Sequence, residues 1–182
     1  MPEQYIPLVD LVAQYRSLRP EIDDVLAGVL QHGHFVGGPQ VQQFAEAFAA
    51  FCDVPYGVPC GNGTDALEIA LASLGIGPGD EVIIPAFTFV ATLEAVCNAG
   101  ATPVLCDIDP HRYTLDPVQA IGLVTERTKA FIPVHLYGQM ADMDPLVSFA
   151  SDNHMFVIED AAQAHGARYK SAPAGSIGDI NT

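Results

Sequence analysis

The sequence predicts an α/β fold with three layers, in which a mostly parallel β-sheet lies between helices on both of its faces. From residue 56 onward, short β-branched runs alternate with segments of helical period, which is typical of βα units. Runs such as Val82-Ile83-Ile84 and Phe156-Val157-Ile158 are apolar at every position, which indicates strands buried on both faces. Charged residues make up only 16% of the chain, in keeping with such a sheet.

The first 55 residues predict a helical segment that precedes the sheet domain at residues 56–182. Residues 10–31 are mainly helical in pattern, and Pro20 is expected to start a second helical piece because proline disfavours a helix interior. Residues 39–51 predict an amphipathic helix whose apolar side consists of Val41, Phe44, Phe48 and Phe51.

The sheet domain is predicted element by element. Strands are expected at residues 56–60, 81–85, 103–106, 130–135 and 156–159, and helices at residues 66–74, 90–99, 116–124 and 144–154. The tail at residues 167–182 is rich in Gly, Ala and Ser and predicts short hairpin strands. Right-handed crossovers place the loops that follow the strands at one edge of the sheet.

The overall composition excludes several classes of function. The chain has 182 residues, enough for one domain with a sizeable core, and a net charge of −15 with 7 Lys and Arg residues. That charge opposes binding to nucleic acid or to an anionic membrane. The amino terminus has no signal-peptide pattern, and no apolar run reaches the roughly 18 residues of a membrane span. The four cysteines form no CxxC pair, which predicts reduced thiols in the cytoplasm and no metal site.

Asp160 follows the predicted strand at residues 156–159, at the edge where open α/β sheets bind ligands. A buried aspartate there would suit pyridoxal phosphate (PLP), whose ring nitrogen must stay protonated if the ring is to accept electrons. The alternative is that Asp160 caps a following helix, since such caps are far commoner than cofactor sites.

A glycine-rich turn, Gly61-Asn62-Gly63-Thr64, opens the predicted helix at residues 66–74. Free N–H groups and the helix dipole make such a place an anion site, where glycine permits close approach and unusual φ angles and Thr64 adds a hydroxyl. The spacing matches neither a dinucleotide-binding loop nor a P-loop, and a plain turn with a threonine cap remains the alternative.

Two aromatic residues, Phe87 and Phe89, lie just beyond the predicted strand at residues 81–85. Either ring could stack on a flat cofactor. The alternative places both in the core, and this is the interpretation we prefer for Phe87. His135 and Tyr137 also follow a strand, and contact with substrate and a structural role are equally compatible with their position.

The chain resembles the PLP-dependent nucleotide-sugar aminotransferases of the DegT/StrS family. The motifs that carry this resemblance span nearly the whole chain in order, and they include Phe35-Val36-Gly37-Gly38-Pro39, residues 61–67, residues 75–82, residues 85–92, Pro133-Val134-His135-Leu136-Tyr137-Gly138, residues 159–163 and Gly178-Asp179. The resemblance implies the large domain of a fold type I enzyme. It also implies that Gly63 and Thr64 hold the cofactor phosphate, that Phe89 stacks on the ring, that Asp160 pairs with the ring nitrogen, and that Gln163 lies near the ring hydroxyl.

The same resemblance implies transfer of an amino group from an amino acid, L-glutamate, to a nucleotide-linked keto-sugar by a homodimer. The family's cofactor lysine is expected shortly after Thr182, because neither Lys129 nor Lys170 lies in the family's lysine motif. We therefore expect an amino-terminal portion of a longer enzyme that lacks its small carboxyl-terminal domain. Two alternatives remain, namely a PLP- or PMP-dependent sugar dehydratase in which histidine replaces that lysine, and a truncated, non-catalytic regulatory paralogue.

Overall fold

The structure, a computed structural model, describes residues 6–182 and divides the chain into two compact units, Met1–Phe44 and Ala45–Thr182. The first unit contains helix α1, Leu11–His32, which Asp10 caps by accepting a hydrogen bond from Ala13 N–H at 2.8 Å. The second unit contains the sheet. The predicted boundary between residues 55 and 56 stays a prediction.

Helix α1 runs through Pro20 without a break, so the prediction that Pro20 starts a second helical piece is wrong. Proline leaves the carbonyl four residues earlier without its N–H partner. Helix α1 has no buried residue, so water can satisfy that carbonyl. An ion pair from Arg19 to Asp23 at 3.1 Å spans the same turn.

Helix α2, Pro39–Phe51, has the predicted bounds. The face that it buries differs from the side that carries the phenylalanines, which the sequence predicts to be its apolar side. Its buried residues are Ala45 and Ala49, while Phe44 is exposed. The small alanines admit a neighbouring backbone, since a Cβ at Gly57 would lie 2.6 Å from the carbonyl oxygen of Ala45. Residues 56–60, which include Gly57, take no part in either sheet, so the strand predicted there is wrong.

The sheet domain then alternates strands and helices as predicted, although most element ends differ by one to three residues. The elements are α3 (Gly63–Ser73), β1 (Glu81–Pro85), α4 (Ala91–Asn98), β2 (Thr102–Cys106), α5 (Pro117–Gly122), β3 (Thr128–Phe131), α6 (Met143–Asp152), β4 (Phe156–Glu159), β5 (Arg168–Tyr169), β6 (Ala172–Pro173) and β7 (Ile180–Asn181). Strand β3 ends before its predicted bound at residue 135, because Pro133 has no N–H for the ladder and only an isolated bridge joins Val134 to Asp160.

Five parallel strands form the main sheet in the order β2-β1-β3-β4-β7, and β5 and β6 form the antiparallel hairpin predicted in the tail. Consecutive residues of β1 pack on opposite faces. Val82 and Ile84 join the core beneath α3 and α4, whereas Ile83 joins the core beneath α5 and α6. The predicted three-layer architecture with a parallel sheet is confirmed.

Candidate active site

A cavity of about 330 Å³ lies at the carboxyl edge of the sheet. Its lining comes from the start of α3 and from the segments that follow β1, β3 and β4, and consists of Asn62, Gly63, Thr64, Leu67, Thr88, Phe89, Ala91, Val134, Leu136, Asp160, Ala162 and Gln163. All five residues predicted for a cofactor site, Gly63, Thr64, Phe89, Asp160 and Gln163, lie in this lining. Their roles toward a cofactor stay predictions.

The glycine turn presents free N–H groups to the cavity. Asn62 caps α3, accepting from Asp65 N–H at 2.9 Å through its side chain and from Ala66 N–H at 3.0 Å through its carbonyl. Of the first-turn N–H groups, those of Gly63 and Thr64 take no hydrogen-bond partner within the described chain. Asn62 is therefore the cap of α3, and Thr64, which lines the cavity, is not.

The two glycines of this turn let other atoms approach the backbone closely, and they are not needed for an unusual backbone conformation. Neither Gly61 nor Gly63 has a positive φ, so the expectation of unusual φ angles is wrong. A Cβ at Gly61 would lie 2.4 Å from Asp65 Oδ2, whereas a Cβ at Gly63 would meet no atom within 4 Å. Internal packing does not demand glycine at residue 63, but a closely approaching ligand would.

Asp160 is 8% exposed, and its carboxylate is held on both sides. Oδ1 accepts from Ala162 N–H at 3.2 Å, and Oδ2 accepts from the Thr92 hydroxyl at 3.3 Å. Burial raises the pKa of Asp160, and the two hydrogen bonds and the nearby His135 oppose that rise without overcoming it. Turns, not a helix, follow Asp160, so the helix-cap interpretation is wrong.

The hydroxyls of Thr88 and Thr92 were not among the predicted site residues. Thr92 is fully buried in the first turn of α4, and its Oγ1 lies 3.0 Å from Thr88 Oγ1. The signal in the sequence was the spacing of two threonines four residues apart at a strand end. Their link to Asp160 joins residues 68 positions apart, and no local pattern shows such a contact.

The two phenylalanines have separate surroundings. Phe89 is 67% exposed at the cavity, where its ring is available to a flat ligand. Phe87 is 46% exposed and lies against Tyr113 with ring centroids 6.4 Å apart, so our preferred placement of Phe87 in the core is wrong. Phe87 is also absent from the cavity lining.

The backbone of Tyr137 orients the amide of Gln163. Tyr137 adopts a φ of +56°, which is uncommon for a residue with a side chain, and its N–H donates to Gln163 Oε1 at 2.9 Å. Because the oxygen accepts this bond, the amide nitrogen of Gln163 remains available as a donor. The Tyr137 side chain itself is 76% exposed.

Glu159 and His135 form a fully buried pair beside the cavity. Ala141 N–H donates to His135 Nδ1 at 3.2 Å, so that nitrogen carries a lone pair and the proton lies on Nε2, which donates to Glu159 Oε2 at 2.9 Å. His135 therefore has a structural role, and the alternative of substrate contact is not supported, since it is absent from the cavity lining.

Glu159 also accepts three backbone N–H bonds from the tail, from Gly175 at 3.1 Å and from Ile177 and Gly178 at 2.6 Å each. Burial by itself raises the pKa of Glu159, but these bonds and the bond from His135 outweigh it and leave the pKa below the ordinary value of 4.5. The carboxylate thus stays ionised and ties the tail to β4.

Neither lysine lies at the cavity. Lys129 is the second residue of β3, at the amino edge of the sheet, where Thr128 pairs with Glu81. Lys170 forms an ion pair with Asp144 in the β5–β6 turn, and the hydrogen bond to Asp144 raises the pKa of the lysine. A protonated amine is not a nucleophile, so this environment does not activate Lys170.

Among the residues that the structure describes, the cavity lining contains no Lys or Arg, and Asp160 is its only formally charged member. Within residues 6–182 there is no cluster of three or more His, Cys, Asp or Glu side chains with the arrangement of a metal site. Across the same residues, no helix combines the length and the apolar character that a membrane crossing requires.

The three-layer parallel sheet with a cavity at its carboxyl edge defines the large domain of a fold type I enzyme. The chain belongs to the DegT/DnrJ/EryC1/StrS aminotransferase family, whose model matches residues 16–182.

Two curated relatives illustrate the range of names within the family. The UDP-2-acetamido-2-deoxy-3-oxo-D-glucuronate aminotransferase of Pseudomonas aeruginosa is 49% identical over 175 residues, which are 96% of this chain and 49% of the relative. The "Pleiotropic regulatory protein" of Geobacillus stearothermophilus is also 49% identical, over 177 residues, covering 97% of this chain and 48% of the relative. The chain spans about half the length of the curated relatives it matches.

Solved structures agree with the fold. The crystal structure of S. venezuelae DesV in complex with a ketimine intermediate superposes with a TM-score of 0.91 at 46% identity, covering 93% of this chain and 46% of that one. The PLP form of the sugar aminotransferase Spr1654 from Streptococcus pneumoniae, itself described as putative, gives a TM-score of 0.83 at 32% identity, with 88% and 45% covered.

Proposed function

We propose that the complete protein is a PLP-dependent aminotransferase that moves an amino group from an amino acid, L-glutamate, to a nucleotide-linked keto-sugar. The observation that carries the proposal is Asp160, a buried carboxylate at the wall of a ligand-sized cavity that holds no Lys or Arg. Burial raises the pKa of Asp160, so a cationic ligand group would be a favourable partner for its ionised form. Relatives named as aminotransferases of nucleotide-linked sugars support the substrate class.

The residues of the cavity fit PLP. The free N–H groups of Gly63 and Thr64 at the positive end of α3, with the Thr64 hydroxyl, suit a phosphate. The open space in front of Gly63 allows that phosphate to approach the backbone. Phe89 offers an exposed aromatic face to the ring, and the carboxylate of Asp160 suits a protonated ring nitrogen.

When bound, PLP supplies an electron sink for the carbanion formed during amino transfer. Asp160 accepts the hydrogen bond of the ring nitrogen and thereby keeps that nitrogen protonated. The amide nitrogen of Gln163, left free because its oxygen accepts from Tyr137 N–H, donates to the ring hydroxyl oxygen. Phe89 covers one face of the ring and excludes water from it. The places of Lys129 and Lys170 give neither of them a part in this chemistry.

Substrate recognition needs cations that the cavity lining does not provide. A nucleotide-linked sugar carries a negatively charged diphosphate, while this chain has a net charge of −15. We propose that groups outside the cavity, from other parts of the complete protein or from the partner in a homodimer, neutralise that diphosphate. Sedimentation of the complete gene product as a monomer that is stable to dilution would contradict the dimer.

Asp160→Asn in the complete gene product tests the proposed role of Asp160. Asparagine keeps the shape but cannot hold the proton of a pyridinium, so we expect turnover with L-glutamate and nucleotide-linked keto-sugars to fall far more than tenfold, the equivalent of about 1.4 kcal/mol. Asp152→Asn, at an exposed position in α6, is the matched control and should retain activity. Turnover of Asp160→Asn within tenfold of the unaltered protein would contradict the assignment.

The name of the Geobacillus relative favours a regulatory protein as a second candidate. The two candidates differ in cofactor binding by the unaltered protein, since a non-catalytic paralogue has no need of PLP. Equilibrium dialysis measures that binding, and borohydride reduction followed by peptide mapping identifies the attached lysine. Binding without any labelled lysine would favour the sugar dehydratase instead.

A further inference from the structure

Thr92 is joined to the proposed cofactor site through its hydrogen bonds with Asp160 and Thr88. Its side chain is fully buried and does not line the cavity. Its hydroxyl lies 3.3 Å from Asp160 Oδ2 and 3.0 Å from the hydroxyl of Thr88, which does line the cavity. A chain of two hydroxyls therefore runs from a residue of the cavity lining to Oδ2 of the carboxylate.

The Asp160 carboxylate determines the direction in which the two hydroxyls donate their hydrogen bonds. An ionised carboxylate can only accept hydrogen bonds, so the Thr92 hydroxyl must donate to Asp160. Thr92 has no second proton to offer, and it therefore accepts from Thr88. The proton of Thr88 is committed inward, and Thr88 presents lone pairs to the cavity.

The two sides of the carboxylate have different kinds of donor. Ala162 N–H, which follows Asp160 directly in the chain, holds Oδ1 at 3.2 Å. Thr92, at the start of α4, holds Oδ2 from a separate element. Two donors on separate elements fix the rotation of the carboxylate plane, which neither donor would do alone.

We propose that Thr92 is a positioning residue that fixes the Asp160 carboxylate for the ring nitrogen of the cofactor, and that Thr88 extends the same hydroxyl chain to the cavity. This inference rests on the proposed function, because it requires a pyridinium partner for Asp160. Thr92→Val keeps the shape of the side chain but leaves Oδ2 without its hydroxyl donor.

The test uses the complete gene product loaded with PLP that carries ¹⁵N at the ring nitrogen. The NMR shift of that nitrogen reports its protonation, and dialysis gives the dissociation constant of PLP. We expect Thr92→Val to move the shift toward that of a neutral pyridine and to weaken binding by roughly tenfold or more, the usual effect of one lost hydrogen bond to a charged group. Thr92→Ser restores the hydroxyl and should restore both values.

Thr114→Val is the matched control. Thr114 is buried like Thr92, but its hydroxyl has no hydrogen-bond partner among residues 6–182, so its removal should leave the shift and the binding unchanged. If the unaltered protein binds no PLP, the proposed function fails and not this inference alone. Suppose instead that the unaltered protein and Thr92→Val both bind PLP with a protonated ring nitrogen. If their dissociation constants then agree within about threefold, the inference is overturned.

If Thr92→Ser restores the nitrogen shift and the dissociation constant, the effect of Thr92→Val comes from the lost hydroxyl and not from general damage to the fold. If Thr92→Ser behaves like Thr92→Val, the inference is also overturned. Should Thr92→Val fail to fold, Thr88→Val decides the matter. Thr88 is only half-buried, and its replacement removes the outer donor of the chain. A smaller shift change in the same direction supports the proposal, and an unchanged shift refutes it.

Discussion

Replacing Glu159 by glutamine tests how tightly one buried carboxylate holds the tail of the sheet domain. In the native structure Oε1 accepts from Ile177 and Gly178 N–H, while Oε2 accepts from His135 Nε2–H and Gly175 N–H. A glutamine amide has one oxygen and one NH₂ group. Whichever way it is turned, the NH₂ group faces two donors.

The histidine cannot relieve this conflict by moving its proton. Were Nε2 of His135 to accept, the proton would lie on Nδ1 and face Ala141 N–H, which now donates there. Two buried donors left without acceptors cost about 1–3 kcal/mol each, and removal of a buried charge returns part of that. We therefore expect Glu159→Gln to destabilise the tail by about 2–4 kcal/mol.

Hydrogen exchange of the backbone amides at residues 175–178, followed by mass spectrometry, measures this effect locally. A loss of about 2–4 kcal/mol in the free energy of local opening corresponds to roughly 30- to 1,000-fold faster exchange, where the equilibrium of local opening sets the exchange rate. Glu126→Gln, at an exposed position, is the control for loss of one negative charge and should leave this segment unchanged. Acceleration of less than threefold would refute the argument from unsatisfied donors.

The pH dependence of stability gives an independent check. The pKa of Glu159 is lower in the folded protein than its ordinary value of 4.5, so its contribution to stability is present above pH 4.5 and is lost as the pH falls through the folded-state pKa. The difference in melting temperature between the native protein and Glu159→Gln should therefore shrink below pH 4.5. A difference that stays constant down to pH 3 would contradict an ionised Glu159.

Two further substitutions test the cofactor turn and the packing of the tail. Thr64→Val removes a hydroxyl donor at the cavity and should raise the dissociation constant of PLP by roughly 5- to 150-fold, equivalent to about 1–3 kcal/mol. Thr64→Ser keeps the hydroxyl and should leave that constant unchanged, and equal constants for Thr64→Val and the unaltered protein by dialysis would argue for a plain turn. Gly178→Ala places a Cβ 2.6 Å from the carbonyl oxygen of Val157, so thermal unfolding should show a loss of about 1–3 kcal/mol. Gly122→Ala, whose Cβ would meet no atom within 4 Å, should be neutral or stabilising, and similar melting of both variants would refute the steric argument.

The fold was predictable where local pattern and burial agree. Strands β1 and β4 have the predicted bounds, because every residue of β1 is buried and β4 is buried at all but its first position. The prediction failed at residues 56–60, which are exposed and pair with no strand of the sheet, although the backbone of Gly57 comes close to the carbonyl oxygen of Ala45 in α2. The local pattern of residues 56–60 does not show whether a neighbouring strand is present to pair with them.

The site was predictable as far as its residues follow strand ends. Gly63, Phe89 and Asp160 each lie after a strand or a turn at one edge, and topology alone brings them together. The hydroxyl of Thr92 and the four donors around Glu159 come from segments that sequence spacing does not connect. Their partners depend on the direction of each side chain, which is fixed only when distant segments of the chain pack together.

The two neighbouring carboxylates at the end of β4 show that strand register itself carries chemical information. Successive side chains of a strand point to opposite faces, so Glu159 meets the backbone donors of the tail while Asp160 reaches the cavity. A slip of one residue would exchange them. The longer glutamate would then stand in the cavity, and the aspartate, shorter by one methylene, would stand among donors placed for a longer side chain. Deletions or insertions in this strand are therefore far more damaging than substitutions, although neither acidic residue type would be lost from the chain.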